Sequence, residues 1–321
     1  MKNFEYAIPR SLAQASEAME VPNAHAKGGG TDLLDLMKGY VVEPDRVVHL
    51  MQIPELRTIE TKGDEIHIGA TVTIAELAAN LKVPAVLREA AFETATPQIR
   101  TTGTVGGNLC QRPRCWYFRD ADYPCLKKKG PTCFSQEGEN RYHAIFDNKP
   151  CAIVHPSNLG TALVALDAQV ITDKRSIDIS EFFVLPGDRL YQENVLKPKE
   201  LVTKVVIKNP PANSAYLEIR EKQSFDWALV AAGVSLTLNS GIVAQARIGL
   251  GSVSPIPRRA EAAEKLLVGQ KLSEKLAAKA ADVALEGATP MAQNAYKVPL
   301  AKTIVKRAIL AAAGLPEAKG R

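Results

Sequence analysis

Over most of its length this 321-residue chain has no cysteine at all. All five, Cys110, Cys115, Cys125, Cys133 and Cys151, fall between positions 110 and 151, leaving 279 positions (321 minus 42) without one. Such bunching argues against a disulfide framework and points to a local site, since structural cysteines scatter through a core and disulfide scaffolds belong mostly to short secreted chains. A long apolar run is also missing: nowhere do 18 apolar residues follow one another, so no membrane-spanning helix is expected. The opening stretch "MKNFEYAIPRSLAQASEAM" has neither a continuous apolar core nor a twin arginine, and predicts no export address. Charge of one sign is scarce too. Forty Lys and Arg stand against 35 Asp and Glu, interspersed, for a formal +5, which gives no footprint for nucleic acid or a membrane surface. What remains, 46% hydrophobic and 23% charged residues, is globular composition with length for two or three compact domains.

The pattern before the cysteines alternates strand and helix. "SLAQASEAM" (11 to 19) reads as a helix, and "NAHAKGGGTDLLDLMKG" as a strand, a glycine turn and a short helix; "RVVHL" and "EIHIGATVTI" read as strands. Thr73 and Glu76 form a capping box that opens a helix running toward Pro84, and "AVLREAAFETA" predicts another that stops before Pro97. From 110 to about 152 the rhythm breaks into a polar, proline-spotted stretch with the lysine run "LKKKG", too long for a plain connection. It reads as an insertion ordered by whatever its cysteines bind. "HPSNLGTALVALDAQVIT" then gives a helix from about 157 and a strand through Val170, and "KNPPANSAY" marks a second boundary. Beyond it, "WALVAAGVSLTLNSGIVAQARIGLGSVSP" reads as three strands, the first two joined at "NSG", followed by helices at "RRAEAAEKLLVG", "SEKLAAKAADVAL" and "LAKTIVKRAILAAAG".

Two glycine-rich turns suit a phosphate group: "KGGGTDL" (27 to 33) and "TTGTVGGN" (101 to 108). Glycine admits positive φ and lets backbone amides face an anion without a Cβ between them, and Thr31, Thr102 and Thr104 add hydroxyls. Neither turn matches G-x-x-x-x-G-K-[ST] or a G-x-G-x-x-G that opens a helix with an acidic residue at the right distance. Four cysteines together suit either iron or zinc. Zinc knuckles usually pair them as C-x₂₋₄-C, which only Cys110 and Cys115 approach, so spacing alone leaves zinc open. Arg112, Arg114, Arg119 and Lys127 to Lys129 are cations that can offset the charge of a cluster; for the lysine run the plainer reading is a solvated loop.

The pair of turns, "GGGTDLL" (28 to 34) with "TVGGN" (104 to 108), resembles the FAD-binding medium subunit of the molybdenum hydroxylases, the group of xanthine dehydrogenase, carbon monoxide dehydrogenase and bacterial aldehyde oxidoreductases. "HPSNLGTALVALDAQV" is similar to that family's P-S-D-L-A segment, with Asn158 at the position of its aspartate. "YLEIREKQSFDWALVAAGV" resembles its K-x-x-R-x-x-x-D-W-A stretch, which places Lys222 and Asp226 near a cofactor cleft and puts Glu218 where relatives often carry lysine. The resemblance implies an α+β chain: a two-lobed FAD-binding domain of the PCMH/vanillyl-alcohol-oxidase type over residues 1–210, with an iron-sulfur insertion at 110–152, and a small α+β domain with a three-stranded sheet and helices over 211–321. It implies FAD contacts from Ala26, Lys27, Gly28, Gly29, Gly30, Thr31, Asp32 and Leu33, from Thr102, Thr104, Gly106, Gly107 and Asn108, and from Asn158 and Lys222.

The insertion "NLCQRPRCWYFRD", with three further cysteines, most resembles that of FAD subunits of periplasmic-type aldehyde oxidoreductases. This implies a 4Fe-4S cluster on Cys115, Cys125, Cys133 and Cys151, separated by 10, 8 and 18 positions, and leaves Cys110 as a buried thiol. The implied partners are a large subunit with a molybdenum cofactor and a small subunit with two 2Fe-2S clusters, with an external acceptor taking electrons from FAD. No residue of this chain is then required to touch the substrate, and no catalytic residue is expected. His155 is a conceivable proton donor to reduced flavin, with a locally satisfied structural histidine as the plainer alternative. A flavin oxidase working alone and a zinc-stabilised binding module are the rival readings. The compartment stays open, since relatives of this group can be exported folded beside a signal-bearing partner.

Overall fold

The computed structural model describes residues 1–222 and 225–316, so the last five positions of the expected C-terminal domain, and two within the stretch "EKQSFDWA", lie outside the described residues. Three sheets organise the chain. The first is parallel, in the order β1 (Glu5–Ala7), β3 (Arg46–His49), β2 (Ala24–Lys27). It rests on the helix Leu12–Ala18 through Ala15, Met19, Val48 and Ile53. The second has five strands in antiparallel pairs: β4 (Ile59–Lys62), β5 (Glu65–Gly69), β8 (Val202–Lys208), β6 (Gln169–Thr172) and β7 (Ser176–Asp178).

The C-terminal lobe is built on four antiparallel strands: β12 (Arg258–Arg259), β11 (Ile242–Gly251), β10 (Ala228–Asn239) and β9 (Asn213–Arg220). The sequence 227–255 was expected to hold three strands, but it forms only two long ones. Alternating apolar residues continue unbroken along each, and the third long strand lies upstream at β9. β10 and β11 meet at the expected hairpin, where Ser240 (φ 52°) and Gly241 (φ 81°) both take the left-handed conformation that a two-residue turn requires. The helices Glu261–Leu267, Glu274–Ala284 and Lys297–Ala312 cover this sheet with Ala263, Ala280, Ile304, Val305 and Ala308.

Between the lobes, the helices Ala85–Glu93 and Asn158–Ala165 are shared supports. Gly233 and Gly249 of the C-terminal sheet stand against the Thr161 backbone so closely that a Cβ on Gly249 would lie 2.4 Å from the Thr161 carbonyl oxygen. The insertion is a chain of short helical turns with its own small core, Phe118 and Cys125 against Leu36. Its later residues Ile145 and Phe146 are buried in the C-terminal lobe. The loop therefore bridges the first glycine turn and the distant lobe.

Candidate functional site

Strand β2 pairs with β3 through Lys27 opposite His49, and the chain leaves the sheet there as the first glycine turn. Gly30 has φ 83°, which glycine adopts without cost. Gly28 and Gly29 are small because the second turn is pressed onto them. A Cβ on Gly28 would lie 2.5 Å from Thr104 Oγ1, and one on Gly29 only 1.8 Å from the Thr102 carbonyl oxygen. Thr104 caps the helix Val105–Leu109 by accepting from the Gly107 amide at 3.1 Å. The Val105 and Gly106 amides donate to Val72 (3.0 Å) and Ala70 (2.8 Å). Two turns about 75 residues apart in sequence thus form one wall.

Ala26, Lys27, Gly28, Gly29, Gly30, Thr31, Asp32 and Leu33 line a cavity of about 230 Å³ together with Thr104 and Gly107. Sites that enclose a whole drug-sized ligand measure roughly 300–1,000 Å³, so this cavity by itself is smaller than such a site. Thr102, Gly106 and Asn108 stand one layer behind: Thr102 through its carbonyl, Gly106 against Ala70, and Asn108 accepting from the Ser157 hydroxyl at 2.6 Å. Asn158 and Lys222 lie outside this cavity. The Asn158 amide donates to Glu218 (3.0 Å), and Lys222 lines a second cavity of about 340 Å³ with Trp116, Tyr142, His143, Asp226 and Trp227. His25, Cys110 and Arg112 also line the glycine-turn wall; the sequence reading left His25 out and assigned Cys110 and Arg112 other roles, a buried thiol and a cation offsetting a cluster. Adjacency is the signal that could have found them, since each lies within a few residues of a turn.

Asp32 turns toward the insertion. Its carboxylate accepts from Arg119 Nη2 at 2.5 Å, pairs with Arg114 Nη1 at 2.9 Å and takes the Arg112 backbone amide at 2.8 Å. Arg119 also reaches Asp35 at 2.9 Å. Burial lowers the Arg114 guanidinium to about 10, against the opposing pull of Asp32, and its Cζ lies 4.7 Å from the Trp227 ring centroid. Two of the three arginines expected to offset a cluster, Arg114 and Arg119, are therefore paired with the first glycine turn, while the Arg112 guanidinium pairs with Glu193 at 2.5 Å. In the lysine run, Lys127 is buried rather than solvated, with Nζ 2.7 Å from Glu193 Oε1 and 2.7 Å from the Leu190 carbonyl oxygen.

Cys115, Cys125, Cys133 and Cys151 line one apolar cavity with Tyr117, Phe118 and Phe134, and all are free thiols. Backbone amides of Phe118 and Tyr117 hydrogen-bond to Cys115, those of Ala152 and Ser135 to Cys133, and that of Ile153 to Cys151. The Ser135 hydroxyl lies 3.0 Å from Cys133 Sγ. A hydrogen bond from the Cys151 thiol, with help from Ser135, pulls Cys133 down to about 5; that same bond, then burial, holds Cys151 protonated. Burial pushes Cys115 up to about 12. Cys110 is half-buried rather than buried, faces the glycine-turn cavity, and is likewise raised to about 12 by burial. Among the described residues no three His, Cys, Asp or Glu side chains converge as a single metal ion requires. His155 is buried, accepts the Ser157 amide on Nδ1 at 3.2 Å, packs edge-on to Phe183 and is held down to about 3 by burial, while its Nε2 is buried without a hydrogen-bond partner, so the ring is only half satisfied locally.

The geometry is that of a flavoprotein lobe followed by a smaller α+β lobe. Residues 2–210 match the FAD binding domain in molybdopterin dehydrogenase, and residues 214–312 match the CO dehydrogenase flavoprotein C-terminal domain. The chain is 34% identical to the aldehyde oxidoreductase FAD-binding subunit PaoB of Escherichia coli K12 over 94% of its own length and 96% of that protein's. It is 28% identical to the carbon monoxide dehydrogenase medium chain of Hydrogenophaga pseudoflava over 96% of both. Among solved structures, carbon monoxide dehydrogenase from H. pseudoflava lacking the Mo-pyranopterin moiety superposes with a TM-score of 0.76 at 26% identity, covering 98% of each chain. Quinoline 2-oxidoreductase from Pseudomonas putida 86 gives 0.76 at 26%, covering 98% and 99%. The chain belongs to the FAD-binding medium subunits of the molybdenum hydroxylases, oxidoreductase components with an FAD-binding domain. No helix among the described residues is long and apolar enough to cross a membrane.

Proposed function

We propose that this chain is the FAD-binding electron-transfer subunit of a heterotrimeric, molybdenum-containing aldehyde oxidoreductase, and that it carries a 4Fe-4S cluster on Cys115, Cys125, Cys133 and Cys151. In this reading it receives electrons from 2Fe-2S clusters of a small partner subunit, while a large subunit with the molybdenum cofactor oxidises the aldehyde. An external acceptor takes the electrons from FAD. The observation that carries the reading is the meeting of the two glycine turns, where a side chain at Gly28 or Gly29 would collide with Thr104 or Thr102. The 34% identity to an aldehyde oxidoreductase FAD-binding subunit supports aldehydes as the substrate class.

When bound, FAD supplies a carrier that joins one-electron donors to one- or two-electron acceptors, and the cluster a one-electron site. The chain's own residues do the rest. The glycines of the first turn leave backbone amides free of Cβ atoms beside a diphosphate, with Thr31, Thr104 and Gly107 on the same wall. Lys27, whose ammonium is lowered by burial and lies 3.1 Å from His49 Nδ1, adds a cation to that wall. At the cysteines, amide hydrogen bonds to three of the sulfurs favour thiolates, and the surrounding rings exclude water.

Zinc brings all four sulfurs to about 2.3 Å from one point. A 4Fe-4S cluster takes one thiolate at each of four corners, so its ligands surround a void. Four free thiols on one apolar cavity supply the sulfur ligands that either group needs, and the similarity of the insertion to that of aldehyde oxidoreductase FAD subunits favours the cluster. The visible spectrum and metal content of the purified chain test the proposal. One flavin with about four irons and labile sulfide per chain is expected; flavin without iron indicates an oxidase working alone, and zinc without flavin a binding module.

A further inference from the structure

Cys115 lines two cavities at once, the cysteine cavity on one side and the aromatic cavity of Trp116, Tyr142 and Trp227 on the other. At that shared wall stands His143, only 3% exposed, with Nε2 3.3 Å from Cys115 Sγ. Nδ1 of the same ring is buried with no hydrogen-bond partner. The ring is fixed from behind. Lys297 Nζ and Asn294 Nδ2, both from buried residues of the C-terminal lobe, donate to the His143 carbonyl at 3.0 and 3.1 Å, and the His143 amide donates to Asn140 at 3.0 Å. Trp116 packs edge-on to it at 5.5 Å.

Resting on the cluster reading above, we infer that His143 is a positioning residue that donates a hydrogen bond from Nε2 to the Cys115 thiolate and so raises the reduction potential of the cluster. The chemistry follows from ligation. A thiolate bound to iron has no proton to give, so a hydrogen bond across 3.3 Å requires the proton on nitrogen. That places it on Nε2 and leaves Nδ1 bare; Nδ1 has no hydrogen-bond partner of either kind, so the Cys115 sulfur is the polar contact that fixes the tautomer. A donor on a ligand sulfur stabilises the more negative, reduced cluster. It acts on the one ligand that faces the aromatic cavity.

The test is an EPR-monitored redox titration of the purified full-length protein and its variants His143→Leu and His143→Gln. Leucine fills the space without a donor, whereas the glutamine amide restores one near the Nε2 position. In His143→Leu the reduction equilibrium of the cluster is expected to fall about tenfold, about 59 mV for one electron, with His143→Gln recovering most of it and iron content unchanged. Equal potentials in all three proteins overturn the inference while leaving the cluster reading intact. No iron and no cluster signal in the parent protein overturns both. Should leucine prevent the cluster from assembling, a glutamine variant that holds four irons at the parent potential supports the donor. Loss of iron from both variants assigns His143 to packing alone and overturns it.

Discussion

Replacing Asp32 by asparagine tests whether the first glycine turn is braced by the insertion. In the native arrangement one carboxylate serves Arg119 at 2.5 Å, Arg114 at 2.9 Å and the Arg112 amide at 2.8 Å, and the three side chains of the two ion pairs are only 15 to 23% exposed. Charge-assisted hydrogen bonds of this kind contribute roughly 1.5–3 kcal/mol each, and removing one partner of an enclosed pair leaves a costly cation behind. The loss is tempered, because Arg119 keeps Asp35 and the Pro113 carbonyl, and Arg114 keeps Gln111 and Trp227. Asparagine also retains one acceptor. A net cost of about 2–3 kcal/mol is expected, read as a shift of the urea midpoint at constant slope, with weaker retention of flavin followed by fluorescence. Asp35→Asn is the internal control: Asp35 is 64% exposed and makes one ion pair, worth under about 1 kcal/mol. If Asp32→Asn matches Asp35→Asn in both stability and flavin retention, the bracing argument is wrong.

Gly29→Ala should cost about 1–3 kcal/mol through overpacking, because its methyl group would sit 1.8 Å from the Thr102 oxygen, and flavin absorbance per chain should fall with it. Cys125→Ser is expected to lose iron and labile sulfide, whereas Cys110→Ser, which lies on the other cavity, should keep both; elemental analysis decides. Glu200 gives a pH signature. Burial by itself raises its carboxyl, but hydrogen bonds from Arg175, the Lys197 amide and Thr172 outweigh that and hold it at about 2. The unfolded group titrates near 4.5, so its contribution is complete above that pH and is lost as pH falls toward 2. It amounts to at most about 3 kcal/mol, and Glu200→Gln should flatten acid unfolding measured by circular dichroism across that window.

Local chemistry made some of the fold legible. Thr73 and Glu76 do form a capping box, opening the helix Ile74–Ala79, and "NSG" does close a hairpin. The helices Pro97–Thr102 and Val105–Leu109 were not legible, because "VGGNL" has poor helix propensity and is held by tertiary bonds to Ala70 and Val72. At the site, the glycine turns stood out because their backbone needs only glycine, a property carried by the residues themselves. Asp32 meeting Arg114 and Arg119 is a matter of partners 82 and 87 positions away, which no local pattern encodes. Lys127 looked like its neighbours in a solvated run; only the turn Leu126–Lys128 decides that it alone points inward to Glu193.

The anchoring of the His143 carbonyl by Asn294 and Lys297 bears on how the protein is made. These partners lie 151 and 154 positions further along the chain. At ribosomal speeds of about 5–20 residues per second, the loop waits on the order of ten seconds or more for its backing to emerge. If the cluster reading holds, iron delivered before the helix Lys297–Ala312 docks would meet a half-built socket, and metallation would follow that docking.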